Sequence, residues 1–317
     1  MGIKMGVDVY DNLYSQYLQE EPQKQEYDCL TDERAEVQSC KSFPETAVIY
    51  EKSESYDFLA YSVSSVQSSL SESALNSKMK TYLSDLGFYN GEKGGGYTEE
   101  FKTALKCFQQ AYWGSERCDL KNGIPSMLQS QIESVGAAYY TNLTNSRLTD
   151  ALKSLGFGSN PSTEVKQNFA RIQTFFEKGM GCTKYQVAGI MGNIMQESTF
   201  DPKAERKSSG AFGILQWNGN RRKFLEDFAS KGGYSYENMG VQFAYFRYEV
   251  SSTWKTDCLG GYAQNSNYVD SWRKFKSDYQ HDFYGASDFF FDNIEQSYDS
   301  TKQIRRNYSS LIYQAIC

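Results

Sequence analysis

The segment YQVAGIMGNIMQESTFDPKAERKSSGAFGILQWNGNRR (185–222) gathers side chains able to work on a sugar polymer. Glu197 is the first of them. A glycosidic oxygen is a poor leaving group and must receive a proton as its bond breaks, and a carboxylic acid can supply that proton. Gln216 carries an amide donor and acceptor suited to an N-acetyl group or a hydroxyl. Trp217 has a ring that can stack on a sugar face or pack in a core. Arg221 and Arg222 either meet substrate carboxylates or open a solvated helix, and for Arg222 the solvated reading is preferred.

The elements that must hold these groups are legible in the spacing. Val187, Ile190, Met191 and Ile194 recur at i, i+3, i+4 and i+7, which predicts a helix over about Lys184–Ser198 capped by Thr183. At about 100° per residue, Glu197 falls roughly 70° from the centre of that stripe, on the border between core and cleft. Burial at such a border disfavours the ionised form of a carboxyl group. Asn193, one turn earlier, shares the Glu197 face. Gly189 and Gly192 lie on the other side, where a missing side chain lets another backbone or a ligand approach.

A second carboxylate is harder to place. Asp201 and Glu205 are near in sequence but sit in a loop of undefined orientation, so no paired nucleophile is evident. Metal chemistry finds little support: His281 is the single histidine and no cysteines stand in a CxxC pair, so no metal and no cofactor is expected. A Cys–His peptidase would have to pair His281 with Cys182 or Cys258, neither of which has a supporting motif. Seven cysteines leave at least one unpaired; Cys107 with Cys118 or Cys29 with Cys40 are candidates for short bridges, and reduced thiols are an equal alternative.

Charge and hydropathy narrow the field further. The first 72 residues carry a net −9, residues 73–164 are neutral and residues 165–317 carry +3, within a total of −6. A mildly basic distal region suits a polyanionic wall, and no basic stripe points to nucleic acid. No stretch approaches the run of about 20 apolar residues that spans a membrane. MGIKMGVDVYDNLYSQYLQEE lacks the apolar core of a signal peptide, so export by other means is expected.

The organisation expected from pattern is mainly α, in four parts. Residues 1–73 form a poorly patterned acidic region with a Ser-rich linker, and 47–61 has weak strand character. Residues 74–136 read as a small three-helix bundle. Leu75, Met79, Tyr82, Leu83 and Leu86 form a helical stripe that stops at Gly87. Glycines 94–96 supply a turn, Thr98 is a cap, and Phe101, Ala104, Leu105 and Phe108 line the next helix. Residues 137–164 are a helical linker with a short helix ending at Gly156. A helix from about Val165 to Lys178 then opens the last domain, 165–317.

Two resemblances follow from these motifs. LSDLGFYNG…GGGYTEEFKTALKCFQ resembles three-helix peptidoglycan-binding domains, though AYWGSERCDLKNG is longer than the usual connection. The distal region resembles the lysozyme-like superfamily of goose-type lysozymes and lytic transglycosylases, and most closely the phage tail lysozyme family. The residues that carry this are Gly189, Gly192-Asn193, Glu197-Ser198, Pro202, Gly213, Gln216-Trp217 and Arg221-Arg222, with Gln242-Phe243…Glu249 and Phe291…Glu295…Arg305 further on.

The resemblance implies a lysozyme-like catalytic domain with Glu197 as the acid, acting on the MurNAc–GlcNAc β-1,4 bond of bacterial peptidoglycan. It also implies substrate contacts from Asn193, Gln216, Trp217, Asn218 and Arg221. Asn218 stands where goose-type enzymes often have Asp, which leaves a single-acid scheme. Either water or the muramyl 6-hydroxyl then attacks, the second giving a lytic transglycosylase. A non-catalytic wall-binding or tail protein is the remaining alternative. The expected location is a virion tail, with the amino-terminal region as contact to tail proteins, or the host cytoplasm until release.

Overall fold

The computed structural model describes residues 70–251, 268–295 and 300–317, all within one compact unit, Val66–Cys317. The acidic region before residue 70, its strand expectation, and Cys29, Cys40 and Cys258 lie outside the described residues. The described chain is mainly helical, with eleven α-helices and one two-stranded sheet. No helix among them is long and apolar enough to cross a membrane.

Local chemistry sets the boundaries of the early helices. Helix α1 (Glu72–Asp85) is capped by Ser71, whose hydroxyl accepts from Ala74 N, and the chain leaves it through Gly87 at φ 84°. Helix α2 (Glu99–Trp113) starts at Thr98, whose hydroxyl accepts from Phe101 N at 3.2 Å. Helices α3 (Ser126–Leu143) and α4 (Leu148–Ser154) follow, the latter leaving through Gly156 at φ 93°. Helix α5 (Thr163–Thr174) does not run on as an α-helix to Lys178. It widens into a π-helical turn, Phe175–Gly179, which buries Phe175 and Phe176 side by side.

Helix α6 (Lys184–Ser198) is the centre of the distal half. A reciprocal capping box starts it: Gln186 N donates to Thr183 Oγ1 and Thr183 N donates to Gln186 Oε1. The sequence suggests one buried stripe, but every residue from Gln186 to Met195 is buried. Helix α10 (Phe283–Phe290) and helix α11 (Lys302–Ile316) pack on the faces opened by the glycines. The glycines admit protein, not ligand. A β-carbon on Gly192 would lie 2.7 Å from the Arg305 carbonyl oxygen and 2.8 Å from Ser309 N, and one on Gly189 would lie 2.7 Å from Ser287 N. Gly192→Ala should therefore cost about 1–3 kcal/mol or more, because backbone rather than a flexible tip must give way. Chemical denaturation would show this, and a midpoint equal to wild type would contradict the packing.

After α6 come the short antiparallel strands β1 (Glu205–Arg206) and β2 (Ala211–Phe212), helix α7 (Gly219–Gly232) and helix α8 (Met239–Glu249). Helix α9 (Tyr268–Asp278) precedes α10, and a second π-helical turn, Phe291–Glu295, follows α10.

The boundaries expected at 136 and 164 do not coincide with a break in packing. One hydrophobic core runs from Met79 to Ile316. Helix α2 packs on α8, α3 on α5, and α4, within the expected linker, on α11. Phe88 meets Phe243 at 6.5 Å between ring centroids, Gly240 N donates to Gly87 O, and Arg247 Nη1 donates to Gly179 O at 2.6 Å and Ala111 O at 3.3 Å. Cys107 and Cys118 are separate free thiols, and burial pushes the Cys107 thiol up from its ordinary range.

Candidate active site

Glu197 lies in the last turn of α6, where the partial negative charge of the helix C-terminus gathers. Its side chain is 11% exposed, the opening that the border position predicts. Its surroundings are not simply apolar, however. Arg305 of α11, 1% exposed, reaches across and donates from Nη2 to Glu197 Oε1 at 2.5 Å. The guanidinium is itself held on several sides. Nη1 donates to Glu295 Oε2 at 2.8 Å and to Asn193 Oδ1 at 3.1 Å, Nε donates to Thr301 Oγ1 at 3.0 Å, and the Phe291 ring centroid lies 4.7 Å from its carbon.

The chain beside Glu197 is bent into unusual backbone. Among the described residues, the non-glycine residues with φ between +20° and +160° are Thr199, Phe200 and Gln216, all bordering this site. Such conformations cost about 1–3 kcal/mol each and persist where the surroundings over-determine them. Buried Phe200 does this by packing on Phe157 and Phe169. Ser198, fully buried, donates to Ile214 O at 3.0 Å and so fastens the Gly213–Trp217 turn to the end of α6.

Gln242 of α8 fixes that turn from the other side. Its Oε1 accepts from Ile214 N at 3.0 Å, and its Nε2 donates to Pro202 O at 2.7 Å and Tyr236 O at 3.0 Å. Gly213 is required here twice over: its φ is 81°, and a β-carbon would lie 2.8 Å from Gln242 Oε1. Below the turn, Glu249 is fully buried and takes Arg221 in a bidentate pair, Nε to Oε1 and Nη2 to Oε2 at 2.7 Å each, while Trp217 Nε1 donates to Oε2 at 3.3 Å.

This geometry redistributes the roles expected from sequence. Trp217 is 0% exposed and bridged to Phe212, so it has no free face for a sugar; it is a core anchor of the turn. Asn193 is fully buried, its amide donating to Gly189 O and Ser287 O and its carbonyl accepting from Arg305, so it braces the site from behind. Arg221 is committed to Glu249. Burial works to lower its pKa, and the Glu249 carboxylate overrides that and holds it above its ordinary range. Gln216 spends its Nε2 on Ala204 O and Gly213 O. Its side-chain carbonyl has no hydrogen bond among the described residues, and the residue is 8% exposed. Asn218 is exposed at the start of α7, with no side-chain cap bond.

Neither candidate second carboxylate is brought to Glu197. Asp201 is exposed and accepts from Lys203 N, and Glu205 is exposed and paired with Arg222 at 2.7 Å. Arg222 also pairs with Glu226 at 2.9 Å, a partly exposed cluster that fits its solvated reading. The acid linked to Glu197 through one guanidinium is Glu295, 4% exposed. The sequence placed Gln242, Glu249, Glu295 and Arg305 in motif segments but gave them no partners, because Gln242, Glu249 and Arg305 reach the site across 28 or more residues.

The site is thus a glutamate closing a buried central helix with a Gly-x-x-Gln-Trp turn fastened beside it. Residues 167–316, just under half of the chain, match the family model described as phage tail lysozyme, so the chain carries a phage tail lysozyme family domain in its carboxyl-terminal half. No curated protein and no solved structure matches. The family points to glycosidase action on peptidoglycan.

Proposed function

We propose that this chain hydrolyses bacterial peptidoglycan at the β-1,4 bond between N-acetylmuramic acid and N-acetylglucosamine, with Glu197 as the single general acid. One observation carries the reading. Glu197 is an acid in the last turn of a buried helix whose Oε1 is fixed by Arg305, while Oε2 has no hydrogen bond among the described residues and the side chain is still partly open. That geometry leaves Oε2 as the oxygen that can meet a leaving oxygen and, when the carboxyl is protonated, deliver its proton. Glu295 lies behind Arg305 and is nearly closed to solvent, and among the described residues neither Asp201 nor Glu205 is hydrogen-bonded into the Glu197 cluster, which favours a scheme without a covalent glycosyl intermediate. Water is then the attacking group, with the Gln216 carbonyl and Asn218 at hand to orient it. Carriage on a phage tail, with the amino-terminal region 1–73 as the contact to tail proteins, belongs to the same reading. So does a wall-affinity role for the helices of 74–136, which rests on their sequence pattern.

Glu197→Gln keeps the shape and the acceptor for Arg305 but cannot donate a carboxylic proton. It should melt as wild type and fail to clear a suspension of purified wall. Retention of more than a few per cent of the clearing rate would end the assignment. Mass spectrometry of a wild-type digest reads the second half of the proposal: hydrolysis leaves reducing N-acetylmuramic acid ends, whereas 1,6-anhydro ends, one water lighter, would make the enzyme a lytic transglycosylase with Glu197 still in place.

A further inference from the structure

The Glu197 carboxyl belongs to a chain of buried groups whose shape suggests a purpose beyond stability. A guanidinium is planar, and its five N–H donors point in fixed directions, so fixing two edges fixes the third. Here Nε is set by Thr301 Oγ1, Nη1 by Glu295 Oε2 and Asn193 Oδ1, and the Phe291 ring sets the plane. What remains is Nη2, and it points at Glu197 Oε1. The partners come from separate elements: Asn193 from α6, Phe291 and Glu295 from the second π-helical turn, Thr301 from the start of α11. Wide turns of this kind inside helices recur at functional sites.

We propose that Glu295 and Arg305 are positioning residues for Glu197. Glu295 aims the guanidinium, and the guanidinium pins Oε1 so that Oε2 alone faces the substrate oxygen. The assignment rests on Glu197 being the acid. It explains why an arginine is needed: a lysine at 305 would keep the charge but could not hold Thr301, Glu295, Asn193 and Glu197 from one planar group. It also gives the charged pair a task that a packed apolar cluster would not perform. Misplacing a reacting group by about 1 Å can cost about a hundredfold in rate, so loosening the aim should slow the chemistry and leave substrate affinity alone.

The test uses the full chain with soluble, uncrosslinked glycan strands as substrate. Rates are normalised to the folded fraction measured by circular dichroism, so a partly unfolded variant remains readable. Glu295→Gln keeps an acceptor for Nη1 and should lower kcat at least about tenfold with KM within about twofold, and Glu295→Ala should lower kcat further. Arg305→Lys should behave like Glu295→Ala. If kcat per folded molecule in both Glu295 variants stays within about threefold of wild type, or if KM rises in step with any loss, the positioning role is refuted. Glu197→Gln run alongside separates the two ideas. An inactive Glu197→Gln with wild-type Glu295 variants refutes the positioning role alone, whereas an active Glu197→Gln refutes the general acid and, with it, what there was to position.

Discussion

A fragment containing residues 165–317, which includes the whole of the family match at 167–316, should not melt cooperatively and should retain under about 1% of the activity on soluble glycan strands. The reason lies in helix α8. One side of this helix carries Gln242 and Glu249, which hold the Gly213–Trp217 turn. The other side is covered from upstream: Phe243 by Phe88, the guanidinium of Arg247 by Ala111 O, and Gly240 by Gly87 O. Phe175, stacked on Phe243 at 4.3 Å, is also covered by Tyr112. Cutting the chain at 165 exposes at least Phe243 and Phe175 and part of their neighbours. At about 1.5–3 kcal/mol for each large apolar side chain, these two exposures alone cost about 3–6 kcal/mol. That reaches the lower end of the whole stability of a typical domain, about 5–15 kcal/mol. A fragment extended to residue 70 should regain both cooperative melting and activity. If instead the 165–317 fragment folds and works on soluble strands while losing only its grip on whole wall, residues 70–164 are a detachable binding module.

That outcome would favour the sequence pattern over the packing, and the reason the two differ is physical. Leu83, Leu105 and Phe108 read as the inner stripes of a self-contained bundle, and they are buried. Phe88 and Tyr112 lie in the same 74–136 span, and their rings meet Phe243 and Phe175. Periodicity says that a residue is buried, not against what. The same limit explains the site. The span of α6, its Thr183 cap and the border position of Glu197 follow from spacing a few residues long, and the structure has them. The Gly213–Trp217 turn was legible as a motif. The commitments of its side chains were not, since Trp217 answers to Glu249 32 residues away and Asn193 to Arg305 112 residues away. Asn193, Trp217 and Arg221 looked like substrate contacts because polar and aromatic side chains near an acid have that chemistry. Burial gives the same groups a different use.

Removing Glu249 should be among the most damaging single changes in the domain. Its carboxylate is fully buried and satisfies Arg221 twice and the Trp217 indole once. The Tyr268 ring lies 4.8 Å from the Arg221 guanidinium carbon and the Arg221 side chain is 17% exposed, so the cation is only partly hydrated if its partner goes. Breaking such a pair by deleting one member leaves a buried charge uncompensated and costs about 3–5 kcal/mol. At roughly 2–4 °C per kcal/mol for a unit of this size, Glu249→Ala should lower Tm by about 6–20 °C. Wall clearing at 37 °C should fall with it, since the Gly213–Trp217 turn loses its lower anchor. The charge, rather than the contact area, is the cause, and a double substitution shows this. Arg221→Met with Glu249→Gln removes both charges and keeps an acceptor for Trp217 Nε1, so the double variant should be more stable than Glu249→Gln alone. A coupling energy of about 0.5–3 kcal/mol is the range for residues in contact, and a buried bidentate pair belongs at its upper end. A Glu249→Ala protein melting within about 2 °C of wild type, or a double variant no better than the single, would mean that water reaches Arg221 and that Trp217 holds the turn without it.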